Sequence, residues 1–230
     1  VELCIDTSTR YASVALTQGA GIIKAISWHS SNNHTLELAS TVSQMLKDAG
    51  KDTTDIHTVI VAKGPGGFSA LRVGMGVAKG LAESLDIPLI GVSTLELEAA
   101  QHFNAVQGPL CPLLEVGRER IAWSLYQLTS LEWSLSMNEQ VTTLEAMVDA
   151  VPDGTIFCGE GAWSMSARLQ ELAGPGKTVL AGPPPSRQLA VLSTLGLRIL
   201  AAGEVADATA MEPNYLRQPS ITMPSSAKPK

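Results

Sequence analysis

The sequence predicts an α/β protein made of two successive halves built alike. Short β-branched apolar runs alternate with helical patterns along the whole chain. The first strand of each half ends in a polar turn: Asp6-Thr7-Ser8-Thr9 after Leu3-Cys4-Ile5, and Gly117-Arg118-Glu119-Arg120 after the run 112–116. A junction near Asn104 separates the two series. It divides the chain into a unit at 1–104 and a second at 105–219, followed by a Pro/Ser/Lys-rich tail, 220–230, predicted to be disordered.

In order, 11–17 and 22–28 read as strands joined by the hairpin turn Gln18-Gly19-Ala20-Gly21. Asn33 is placed to cap a helix from about His34 to Ala49, closed by Gly50. Leu38, Val42, Met45 and Ala49 form one apolar stripe on it. Leu36, Ala39, Ser43 and Leu46 form a second stripe, small or apolar, about 100° round. Together they approach half the circumference, more than a surface helix needs to cover its own sheet.

Thr58-Val59-Ile60-Val61-Ala62 reads as a buried strand, and Gly64, Pro65, Gly66 and Gly67 as the turn after it. Ser69 is the cap candidate for a helix running to about Leu85. On that helix Arg72, Lys79 and Glu83 share a stripe roughly 40° wide, and nearly everything else is apolar or small. Gly74, Gly76 and Gly80 each cost about 1 kcal/mol relative to alanine, so close packing must compensate. Both helices of the first half therefore ask for cover beyond their own sheet. The predicted partner surface comprises His34, Leu36, Ala39, Ser43 and Leu46 with Met75 and Gly76.

A strand at 88–92 follows, then a short helix to about His102 capped by Ser93 or Thr94. The second half reads as strands at 112–116 and 121–128, then a helix to about Val151 opened by a capping box from Thr142 and Glu145. Next come a strand at 155–158, a helix at 163–172 and a strand at 178–180. Pro183-Pro184-Pro185 breaks the chain before a long helix, about 187–203.

Hydrophobic residues make up 45% and charged residues 17%, the balance of a globular protein. A net charge of −6, a pI near 5.2 and 4% aromatics argue against tight binding of nucleic acid by the chain alone, whether through phosphates or stacked bases. Cys4, Cys111 and Cys158 are odd in number and far apart, which fits reduced thiols. No signal peptide or membrane span is read, so a cytoplasmic protein with no membrane partner is expected.

Strand, glycine-rich turn and helix N-terminus at 58–72 form an arrangement that can hold an anion. It lacks the Gly-Lys-Ser/Thr of a P-loop, and a tight turn without ligand is the alternative. Asp6, Thr7 and Ser8, at the carboxyl end of a central strand, are the other half of a phosphate- or nucleotide-like site with Gly64, Pro65, Gly66 and Gly67. Asp6 is equally at home bonding its own turn. ATP or ADP is the ligand such a site would take, and none is expected to be held firmly. His29 and His34 are five apart, not the four of a helical metal pair. Neither a metal site nor a catalytic residue is assigned.

Asp6-Thr7-Ser8-Thr9, the run from Gly64 to Gly74, Gly91-Val92-Ser93-Thr94-Leu95 and Pro213-Asn214-Tyr215-Leu216-Arg217 resemble, in order and spacing, the bacterial TsaB (YeaZ) family. The resemblance implies an actin-like (ASKHA) fold, with duplicated ribonuclease-H-like lobes, mixed sheets and flanking helices. It implies a non-catalytic scaffold in the complex that forms N6-threonylcarbamoyladenosine at position 37 of tRNAs reading codons that start with A. The implied partners are a TsaD-like catalytic subunit and a TsaE-like ATPase, with tRNA met only through the complex and a homodimer when isolated. It also implies that the partner contacts lie on the first two helices. The His-x-x-x-His pair of TsaD-like relatives is absent, since Leu38 stands four after His34, and Glu115-Val116-Gly117 stands where the family usually has Asp-Ala-Arg. The alternative is a stand-alone ATPase or phosphotransferase of the actin-like superfamily, which needs a general base and a magnesium-holding acidic pair. Asp6 and Glu115 are the available carboxylates. A glycoprotease-like metalloenzyme would need a histidine motif that the chain lacks.

Overall fold

The computed structural model describes residues 1–30, 34–117, 119–130, 132–180, 187–205 and 210–216, without the side chain of His34. Asn33, the proline run, Arg217 and the tail 220–230 lie outside the described residues.

Two five-stranded sheets have the same construction. The first contains β1 (Glu2–Asp6), β2 (Tyr11–Gln18), β3 (Gly21–His29), β4 (Thr58–Ala62) and β5 (Leu89–Val92) in the order β3-β2-β1-β4-β5. The second contains β6 (Leu110–Glu115), β7 (Ile121–Thr129), β8 (Glu132–Thr142), β9 (Ile156–Cys158) and β10 (Thr178–Val179) in the order β10-β9-β6-β7-β8. In each, the first strand of the lobe is central, antiparallel to the second and parallel to the fourth. This is the duplicated, mixed-sheet, actin-like (ASKHA) arrangement of ribonuclease-H-like lobes.

The helices follow from what each sheet face has to bury. α1 (His34–Asp48) and α2 (Phe68–Leu85) cover one face of the first sheet. Leu38, Val42 and Met45 pack there with Leu3, Ile5, Val14 and Leu16. The other face, lined by Cys4, Ala15 and Ile60, is covered by α7 (Leu189–Ala201), which comes from the far end of the chain. In return α3 (Thr94–Ala100), which follows β5, packs against β6 of the second sheet. α4 (Leu144–Ala150), α5 (Glu160–Ser164) and α6 (Ser166–Ala173) cover the remaining face. Each lobe thus lends the other a helix.

Four local expectations are corrected. α2 begins one residue before Ser69, with Gly67 at the cap and no side-chain hydrogen bond there. α4 is capped by Thr143, whose hydroxyl accepts from the Ala146 N–H at 3.3 Å, because Thr142 is the last residue of β8 and accepts from the Trp123 indole. The predicted helix at 163–172 is two short helices meeting at Met165. β8 itself was not predicted. It is an edge strand with no fully buried residue, so it lacks the continuous apolar run of a central strand.

Candidate functional site

The turn after β1 and the glycine turn after β4 are brought together at the mouth of the cleft between the lobes. Asp6 is buried, and its Oδ1 accepts from the Ser8 N–H at 2.9 Å and the Ser8 hydroxyl at 2.6 Å. The Thr7 hydroxyl donates to the Ala70 carbonyl at 2.8 Å, and the Gly67 N–H donates to the Ser8 carbonyl at 2.7 Å. A Cβ on Gly66 would stand 2.2 Å from that same carbonyl oxygen. Lys63 and Gly64 use their carbonyls to accept from the N–H groups of Asn214 and Thr94. Gly64 and Pro65 are buried. Close approach of one backbone to another therefore accounts for the loop, and the Asx turn accounts for one oxygen of Asp6.

The other oxygen of Asp6 is held by a residue that sequence reasoning did not single out. Arg187, one residue ahead of the cap of α7, has no exposed side-chain surface. Its Nε donates to Asp6 Oδ2. Nη1 donates to Glu98 Oε1 at 3.0 Å and Glu160 Oε2 at 3.1 Å; Nη2 donates to Thr9 Oγ1 at 2.9 Å and the Tyr11 carbonyl at 3.3 Å. A guanidinium has five N–H donors, and all five are used. Burial pulls the Arg187 pKa down, but Asp6, Glu98 and Glu160 outweigh it and hold the group firmly charged. Burial pushes the Glu98 carboxyl above its ordinary value, with Arg187 pulling the other way.

Beyond this cluster the cleft opens to a volume of about 820 Å³, bordered by Thr9, Arg10, Phe68 and Ser69 on one side and Glu115 and Glu160 on the other. Among the described residues no group of His, Cys, Asp and Glu is placed to hold a metal ion. None of the described helices is long and apolar enough to cross a membrane.

The predicted partner surface divides. Leu36 is 78% exposed, and Ala39, Ser43 and Gly76 are exposed beside it on α1 and α2. Leu46 and Met75 are not on this surface. Both are 4% exposed and pack in the core with Leu38, Val42 and Met45. The two helices pack on each other, so each covers a flank of its neighbour that a single-helix projection leaves in solvent. The His34 side chain lies outside the described residues.

Comparison with known proteins places this geometry. The family model described as "TsaD: tRNA N6-adenosine threonylcarbamoyltransferase" matches residues 14–217. The tRNA threonylcarbamoyladenosine biosynthesis protein TsaB of Bacillus subtilis is 29% identical over 224 residues, 94% of this chain and 93% of its own. TsaB of Escherichia coli is 40% identical over 93 residues, 40% of each chain. The solved structure of YeaZ from Pseudomonas aeruginosa superposes with a TM-score of 0.76 at 26% identity, covering 93% of this chain and 98% of that one. The chain belongs to the TsaB (YeaZ) family.

The remaining TsaB-like motifs tie β5, β8 and α2 to the end of the chain. Ser93 caps α3 and donates to Glu139 of β8. The late motif runs back over α2: Asn214 donates its side-chain N–H to that same Glu139, and its backbone N–H to Lys63 at 2.7 Å. Tyr215 packs on Phe68, and Arg72 lies 3.9 Å over the Phe68 ring with its Nε on the Tyr215 hydroxyl at 3.0 Å. In this TsaB-family chain Glu115 accepts from the Ser164 hydroxyl at 2.6 Å, and no arginine stands two residues on.

Proposed function

We propose that the chain is a non-catalytic subunit of the assembly that forms N6-threonylcarbamoyladenosine at position 37 of tRNAs reading codons that start with A. The observation carrying this reading is the state of Asp6. Its two oxygens are taken by Ser8 and Arg187, so among the described residues Asp6 is not free to form the acidic pair that phosphoryl transfer needs. The relatives named above are described as biosynthesis proteins for this nucleoside, which supports the assignment. Transfer to tRNA is then the work of a TsaD-like catalytic subunit, with a TsaE-like ATPase joining it in the cytoplasm. This chain meets tRNA through the complex and holds no nucleotide firmly.

The partner docks on the exposed small-residue face of α1 and α2 around Leu36, Ala39, Ser43 and Gly76, and the isolated chain pairs with itself there. Ala39→Glu tests this. The carboxylate stays hydrated in the free monomer but is desolvated without a counter-charge on assembly. The melt of the variant should be nearly that of the native monomer, while co-purification with the catalytic subunit is lost and modified tRNA falls in cells. Normal co-purification would move the docking surface elsewhere. An ATPase turnover abolished by Asp6→Ala would sink the non-catalytic reading.

A further inference from the structure

We propose that Arg187 is a built-in latch that holds the two lobes at one angle from inside the cleft. The guanidinium lies where segments of both lobes meet. Asp6 ends β1, Tyr11 begins β2 and Thr9 lies in the turn between them, all in the first lobe. Glu98 comes from α3, which packs on the second sheet. Glu160 comes from the first turn of α5, also on the second sheet. Arg187 itself belongs to the segment entering α7, which packs on the first sheet. Opening the lobes pulls Asp6 away from Glu98 and Glu160, and the guanidinium then cannot keep all five bonds.

Its burial makes this a latch rather than a surface ion pair. A charge pair in solvent exchanges its partners for water at little cost, whereas a buried cation deprived of one partner is left uncompensated. The surrounding contacts reinforce it. Tyr11, whose carbonyl accepts from Arg187, makes an edge contact with Trp163 of α5 at 6.3 Å, also across the cleft. The cluster sets three carboxylates against one guanidinium, so a small planar cation with several N–H donors fits the space that Arg187 fills.

The test uses the full chain and chemical rescue. Cys4, Cys111 and Cys158 are buried, so spin labels on cysteines introduced at Gln44 and Glu171, both exposed, report the distance between the lobes. Arg187→Ala should broaden that distance distribution and lower Tm by on the order of 10 °C. Millimolar methylguanidinium should narrow the distribution and recover part of the melt; equal sodium chloride should not, and adding Asp6→Asn and Glu98→Gln should abolish the rescue. If Arg187→Ala does not fold, Arg187→Lys carries the test. It keeps the charge with three donors instead of five, and should fold with a broadened distribution. A distribution unchanged from the native one in either variant overturns the latch, as does rescue that survives loss of the carboxylates.

Discussion

The two lobes share a strand order and differ in what their helices are for. In the first, α1 and α2 run 15 and 18 residues and carry an exposed face beyond what covers the sheet. In the second, the equivalent positions hold the shorter α4, α5 and α6, of 7, 5 and 8 residues. The glycines that follow the fourth strand show the same split. In the first lobe the Gly66 turn presses on the Ser8 carbonyl just beyond β1; in the second, Gly161 presses on the Leu113 carbonyl in β6. The second lobe uses the intervening Glu160 to reach Arg187, while the first opens directly into the long α2. One lobe presents a surface; the other holds its angle.

The largest expected effect separates these two glycines. A Cβ on Gly66 stands 2.2 Å from a backbone oxygen, which cannot swing aside as a side chain can. Gly66→Ala should cost about 3 kcal/mol, a fall in Tm of roughly 6–12 °C for a chain of this size. At Gly161 the nearest oxygen is 2.7 Å away, so Gly161→Ala should cost about 1–2 kcal/mol. Calorimetry on both variants checks the order, and the reverse order would break the parallel between the lobes.

The next effect concerns the charged end of the cleft. Glu98 is buried against Arg187, Asp6, Glu160, Gln101 and Cys158, and its pKa lies above the ordinary 4.5. Between 4.5 and the raised value the folded protein holds a proton that the unfolded chain has released. The contribution of Glu98 is therefore fully present below 4.5 and is lost as pH rises through the folded value. Across that window it adds a slope of up to about 1.4 kcal/mol per pH unit. Glu98→Gln should remove that slope, seen as a flatter plot of Tm against pH. Identical plots would mean that Glu98 carries no such proton.

Much of the frame was legible because it rests on periodicity. The buried strand Thr58–Ala62, the core stripe of α1 and the duplicated turns all follow from local pattern. The TsaB-like motifs include the turn after β1 and the glycine turn after β4, which the fold brings into contact. Arg187 was not legible, because a single arginine before an apolar helix looks like any surface residue until the fold brings Asp6, 181 residues away, beside it. Glu98 was hidden for the same reason. Leu46 and Met75 were misplaced because a helical projection sees one helix at a time, and their burial comes from α1 and α2 packing together. β8 was missed although Trp133, Leu135 and Met137 alternate with polar residues, the period of a half-exposed strand.

The smallest effect bears on why α2 keeps so many glycines. Gly74 is explained within the chain, since a Cβ there would meet the Thr7 hydroxyl at 2.3 Å. Gly76 and Gly80 are not: both are exposed on α2, and a Cβ at either would touch nothing within 4 Å. In the unpaired monomer they only weaken the helix, by about 1 kcal/mol each relative to alanine. Gly76→Ala and Gly80→Ala should therefore each raise the Tm of the monomer, measured at a concentration too low for self-pairing, by roughly 2–4 °C. The same methyl groups would hold a docking helix away from the α2 backbone, so co-assembly with the catalytic subunit should weaken while the melt improves. Opposite signs in the two measurements are what a helix kept thin for a partner requires. A stabilised variant that assembles as tightly as the native chain would leave both glycines unexplained and take α2 out of the docking face.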